Sequence, residues 1–115
     1  MIARLWHGWT TPANADAYET LSRTKILQGI HRVAGYEGAY VLRKDPSPPA
    51  SEVEFVVITL FSSLGAVRGF AGPEYESAVI SPEAQKLLAR FDAKVGALRG
   101  KGCTWDVNRD AALRP

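Results

Sequence analysis

Apolar positions on both faces of one predicted strand dominate the pattern of this chain. Over residues 53–61, Val53, Phe55, Val57, Thr59 and Phe61 point to one side of an extended backbone and Glu54, Val56, Ile58 and Leu60 to the other. Only Glu54 and Thr59 break the apolar character, and a strand of this kind needs a cover on each face. Residues 2–9 alternate as well, with Ile2, Arg4, Trp6 and Gly8 against Ala3, Leu5, His7 and Trp9. A further strand is predicted at Tyr36–Lys44, introduced by Gly35, with Tyr36, Gly38, Tyr40 and Leu42 opposite Glu37, Ala39, Val41 and Arg43. Residues 45–51 hold three prolines, which remove ladder donors, so they read as the hairpin loop into the next strand.

Helical spacing fills the gaps between the strands. Thr11-Pro12 is a hydroxyl followed by a proline, a favoured way to open a helix, and Asp16 and Glu19 lie near its positive end. Ala17, Tyr18, Leu21, Leu27 and Ile30 give that helix an apolar side, with an irregularity expected near Gln28-Gly29. Ser62 or Ser63 caps a second helix on Leu64, Val67 and Phe70; Gly65 and Gly69 weaken it, so packing must hold it until Gly72-Pro73 ends it. After a loop containing Tyr75, Ser81-Pro82-Glu83 opens a third helix, with Ala84, Leu87, Leu88, Phe91 and Val95 at helical spacing. Beyond Gly96 the pattern decays. Residues 97–107 offer one more strand, diluted by Gly100 and Gly102.

The order strand, helix, strand, strand, helix in two pieces, strand predicts an α+β fold of the ferredoxin-like, split βαβ plan: an antiparallel sheet with helices on one face. Its first and third strands are central in that plan, and here these carry apolar residues on both sides. The uncovered apolar face then calls for a second copy of the chain, because a soluble monomer does not usually expose a patch of that size.

Length and charge narrow the picture. At 115 residues there is room for one domain, read here as 1–107 with a C-terminal tail at 108–115. The net charge of +2 resides wholly in residues 99–115, so the body carries no basic stripe and nucleic acid is not an expected partner. Cys103, the single cysteine, excludes an internal disulfide. No apolar run approaches the ~18 residues of a membrane span, and the first residues begin a strand pattern, so a soluble cytoplasmic protein without membrane association is expected.

Several segments together resemble one family. These are Ile2-Ala3-Arg4-Leu5-Trp6-His7-Gly8, Gly35-Tyr36-Glu37-Gly38-Ala39-Tyr40, Phe61-Ser62-Ser63-Leu64 with Val67-Arg68-Gly69-Phe70-Ala71-Gly72, and Pro82-Glu83-Ala84 through Leu88-Ala89-Arg90-Phe91-Asp92. Over residues 1–95 the chain resembles antibiotic biosynthesis monooxygenase-like domains of the dimeric α/β-barrel superfamily. The resemblance implies two ferredoxin-like subunits joining their sheets into a barrel, a cavity between each sheet and its helices, and no cofactor in members that oxidise polycyclic phenols to quinones with molecular oxygen. Haem-degrading members use an asparagine on the first strand, a tryptophan near the end of the third and a histidine on a later helix. This chain has no asparagine in strand one, Leu60-Phe61 in place of the tryptophan and no histidine after His31. Haem chemistry is therefore set aside, and a non-catalytic ligand-binding or structural dimer of the same fold stands as the alternative to a monooxygenase of small aromatic or polyketide-like molecules.

Candidate chemistry centres on His7, between Trp6 and Trp9, because an imidazole is the side chain best suited to act as a base toward a phenol. Trp6, Tyr40 and Tyr75 combine flat apolar faces with polar tips and are the candidate substrate-binding residues. His31 follows Ile30 at a helix end, a structural position. Two histidines 24 positions apart do not make a metal site, and no nucleophile triad or phosphate-cradling glycine loop is present.

Overall fold

The structure is a computed structural model and describes residues 1–26, 30, 32–78 and 80–102. The irregularity expected near Gln28-Gly29, His31, Cys103 and the tail 108–115 lie outside the described residues. Strand β1 is Ile2–Thr10, helix α1 Pro12–Leu21 continuing as a π-helical turn Ser22–Ile26, β2 Tyr36–Lys44 and β3 Val53–Phe61. Helix α2 is Leu64–Ala71, α3 Pro82–Leu87, β4 Leu88–Phe91 and β5 Gly96–Arg99. The sheet runs β2-β3-β1-β4 with every pair antiparallel, and β5 continues the β4 edge along the other half of β1. This is the ferredoxin-like α+β plan that the strand order predicts.

One face of β1 and β3 is sealed by the helices. Register places Ile2, Arg4, Trp6, Gly8 and Thr10 opposite Phe61, Thr59, Val57, Phe55 and Val53, and all of these except the half-buried Val57 are buried. Two core clusters lie on this side. The first gathers Trp6, Ala15, Tyr18, Val53, Phe55, Ala84, Leu88 and Val95 beneath α1 and α3. Tyr18 meets Phe55 edge to face at 4.8 Å, and burial pushes the Tyr18 hydroxyl above its usual pKa. The second sets Ile2, Ile30, Phe61 and Val67 beneath α2, with Tyr36, Phe70 and Tyr75 packed against them. At the rim, Arg43 lies over the Phe55 ring and donates to Asp16 at 2.7 Å and Asp45 at 2.8 Å, which ties β2 to α1 and to the hairpin loop.

Two expectations need correction. The helix read through Leu88, Phe91 and Val95 stops at Leu87, where Leu88 turns to ψ 133° and the chain becomes a strand. The free edge of β1 decides the outcome: its backbone groups need partners, and β4 pairs Gly8, Trp9 and Thr10 with Phe91, Arg90 and Leu88. Asp92 N still donates to His7 O at 3.0 Å; residues 93–95 then leave the edge and bond residues 76–78, through Ala78 N to Ala93 O at 2.9 Å and the Ser77–Lys94 bridge, before β5 returns. Within the span expected to hold one more strand, β5 begins one residue early, at Gly96, and ends at Arg99.

The second correction concerns Tyr36, which alternation groups with Tyr40 and Leu42. A register shift between Tyr36 and Gly38 places it opposite Phe61 on the helix side, where the two rings meet edge to face at 6.0 Å. Its hydroxyl is pushed above its usual pKa by burial.

Gly35, at the entry to β2, has φ +85°, and a Cβ there would lie 2.5 Å from Ala66 Cβ and 2.7 Å from Ser62 Oγ. Its carbonyl also accepts from Ser62 N at 2.8 Å, which joins the β2 entry to the start of α2. Gly35→Ala is expected to cost about 2 kcal/mol of stability, from the disallowed φ and the displaced Ala66. Denaturant melts of the two proteins check this; an unchanged midpoint would show that the turn relaxes freely.

Candidate functional site

The opposite face of the sheet has no helix over it among the described residues. Ala3, Leu5, His7 and Trp9 of β1 stand opposite Leu60, Ile58, Val56 and Glu54 of β3, and beyond them come Gly38, Tyr40, Leu42 and Lys44 of β2. Tyr40 is 59% exposed, Leu42 48% and, on β5, Leu98 56%. These are large apolar groups left in water together, which distinguishes the face from the scattered apolar residues of any surface.

At the hairpin end of this face the apolar character gives way to a charged aromatic cluster. Glu54 is the acidic interruption in β3, and its Oε2 lies 3.5 Å from His7 Nδ1, an ion-pair separation rather than a good hydrogen bond. The two residues are diagonal neighbours across the β1–β3 pair, within reach for side chains of this length. The His7 ring stacks on Trp9 with centroids 6.0 Å apart and planes 22° from parallel. The Arg90 guanidinium lies over Trp9, 3.8 Å from the ring centroid, while its Nε donates to Glu52 at 2.9 Å. Beside the cluster opens a cleft of 420 Å³, lined by Trp9, Glu52, Glu54, Arg90, Lys44 and the hairpin loop. Both His7 and Glu54 are about one-third exposed, so the imidazole is held between a carboxylate and an indole yet remains within reach of solvent.

The four residues singled out from the sequence are divided by the sheet. His7 and Tyr40 share the open face, but in register His7 faces Val56 and Tyr40 faces Ile58, with β3 between them. Trp6 belongs to the first core cluster: its Nε1 donates to Asp92 O at 2.8 Å, and its ring lies so close over Gly8 that a Cβ there would clash with it. Tyr75 lies against the second cluster, with Arg68 5.4 Å above its ring and its carbonyl accepting from Arg4. Sequence reasoning placed Trp9 on the same face as His7 and missed Glu54, Arg90 and Glu52 as members of the cluster. Glu54 could have been found as the charge interrupting an otherwise apolar face two residues from Val56, the partner of His7; Arg90 could not, because helical spacing placed it on the outside of a helix. Among the described residues no cluster of three or more histidine, cysteine or acidic groups could hold a metal, and no helix is long and apolar enough to cross a membrane.

No family model and no curated protein matches the chain. Solved structures do match it. One is a Bacillus cereus protein whose crystal structure is named "putative antibiotic biosynthesis monooxygenase": it superposes with a TM-score of 0.59 over 90% of this chain and 97% of its own, at 14% sequence identity. At that identity the likeness is one of fold, an antiparallel sheet backed by helices on one side, and it extends over nearly the whole of both chains.

Proposed function

We propose that the protein is a soluble, cytoplasmic homodimer of the α/β-barrel type that acts as a cofactor-independent monooxygenase on a small aromatic or polyketide-like phenol. The observation that carries the reading is the His7–Glu54 pair at 3.5 Å, flanked by Trp9 on an exposed apolar face. Glu54 at Nδ1 orients the imidazole, so the ring can take the phenolic proton on its other nitrogen. Removal of that proton leaves an electron-rich anion that reduces oxygen directly. In a hydroxyanthrone the ring methylene becomes a carbonyl; one oxygen atom of O₂ is kept, and the other leaves as water with the two hydrogens. Trp9 and Tyr40 offer flat faces to such a ring system, and a second subunit over the sheet would exclude water from it. The fold likeness to a protein named as a monooxygenase supports this reading without carrying it.

A second reading is a non-catalytic ligand-binding or structural dimer. It is favoured by the commitment of Trp6 to the core, with its N–H spent on Asp92 and its ring closed onto Gly8. Oxygen uptake separates the two. The folded protein is expected to consume oxygen above buffer with at least one member of a panel of hydroxyanthrones and related phenols. A flat trace across the panel, from protein shown to be folded and dimeric, leaves the second reading.

A further inference from the structure

The cleft beside the His7–Glu54 pair holds a cation without a partner among the described residues. Lys44, at the end of β2, lines this cleft and stands directly opposite Glu54 across the β2–β3 pair. It forms no ion pair with Glu54 or with any other described residue. Each of the three acids lining the cleft has a different cation. Arg43 Nε donates to Asp45 at 2.8 Å, Arg90 Nε donates to Glu52 at 2.9 Å, and His7 lies 3.5 Å from Glu54.

Arg90 adds donors to the same cleft. Its Nε is committed to Glu52 and its Cζ lies 3.8 Å from the Trp9 centroid, while neither Nη group donates to a described residue. Four N–H groups of the guanidinium are therefore open to a ligand. Pro46, Pro49 and Trp9 supply apolar lining. Glu54 and Trp9 belong both to this lining and to the His7 cluster, so one molecule can occupy the cleft and reach the imidazole.

We propose that this cleft is an acid-binding subsite: the molecule that binds here carries a carboxylate, held by Lys44 Nζ and the Nη groups of Arg90, and presents a phenolic hydroxyl to His7. The placement of the hydroxyl rests on the oxygenase reading; the acid subsite does not, and its test is binding. Ammonium and guanidinium donors hold a carboxylate through charge-assisted bonds about twice as strong as those to a neutral acceptor. Because Asp45, Glu52 and Glu54 already have cations, Lys44 is the charge that a ligand's acid group can meet. A lysine kept only to guard the β2 edge against another strand would be indifferent to that group.

Titration of the full chain with a hydroxynaphthoate, its acid on the ring remote from the hydroxyl, and with the matching neutral carboxamide, followed by NMR, tests the proposal. The acid is expected to bind roughly tenfold more tightly than the carboxamide and to shift the signals of residues 44–52 and Trp9. Added salt should shrink that preference, since both cations are exposed. Lys44→Gln removes no internal contact, so the variant should fold as the wild type does, bind the acid several-fold more weakly and bind the carboxamide equally well. Equal affinity for acid and carboxamide, no binding of either, or a loss of both alike in Lys44→Gln would overturn it. Oxygen uptake separates this inference from the oxygenase reading. No uptake with any phenolic acid that binds through Lys44 would leave the subsite and remove the oxygenase, whereas neutral phenols oxidised as efficiently as their acids would leave the oxygenase and remove the subsite.

Discussion

Ile58→Asp is expected to yield a folded monomer from the proposed homodimer. Ile58 is at the middle of the open face, opposite Leu5 on one side and Tyr40 on the other, and is only half-buried within the single chain. In an isolated subunit an aspartate there keeps its water, so the melt should shift little. In a two-fold dimer formed through this face, each subunit would bring one carboxylate into an apolar contact without a cation, and both must be desolvated at once. Unpaired buried charges cost about 3–5 kcal/mol each, which weakens association by several decades. Light scattering at micromolar concentration checks this. A wild-type monomer would remove the dimer itself, and a variant that stays dimeric would move the interface to another surface.

The parts of the fold that the sequence made legible are those where local pattern and tertiary packing agree. Residues of β1 and β3 alternate cleanly, and both strands form, β1 one residue longer than read. Ser81-Pro82 opens a helix as predicted, with Ser81 Oγ accepting from Ala84 N at 3.2 Å. The pattern failed where a non-local partner decided the local structure. Leu88, Phe91 and Val95 fit a helix by spacing, yet β1 has an open edge at Gly8, Trp9 and Thr10, and strand pairing there wins. Tyr36 fits the open face by alternation, but one shift of register beside Gly38 turns it to the other side.

The candidate site was legible for a different reason and only in part. Alternation alone puts His7 and Trp9 on the same face, and Glu54 is conspicuous as a charge among apolar neighbours. Which residue of β3 meets His7 depends on register, which spacing within one strand cannot supply. Trp6 and His7 are adjacent in the chain, and that adjacency is what separates them: consecutive residues of a strand point to opposite faces, so both could not serve one cavity.

His7→Gln is expected to abolish most turnover while the fold and the dimer persist. Glutamine keeps polarity and approximate size, and at a side chain one-third exposed it leaves neither a cavity nor a buried charge, so stability should change by less than about 1 kcal/mol. What is lost is the group that takes the phenolic proton, a contribution of roughly 10²- to 10⁴-fold in the rate of the chemical step. Glu54→Gln should have a smaller effect of the same sign, because it removes the orienting carboxylate and leaves the imidazole in place. The decisive measurement is the rate with a phenol compared with that of its preformed anion at a pH above the phenol's own pKa. If His7 acts as the base, the variant should recover most of its rate there, since the proton has already gone. A deficit that persists at high pH would make His7 a positioning residue, and unchanged turnover at neutral pH would transfer the base to another group, with Tyr40, Tyr75 and Asp92 the next to be substituted.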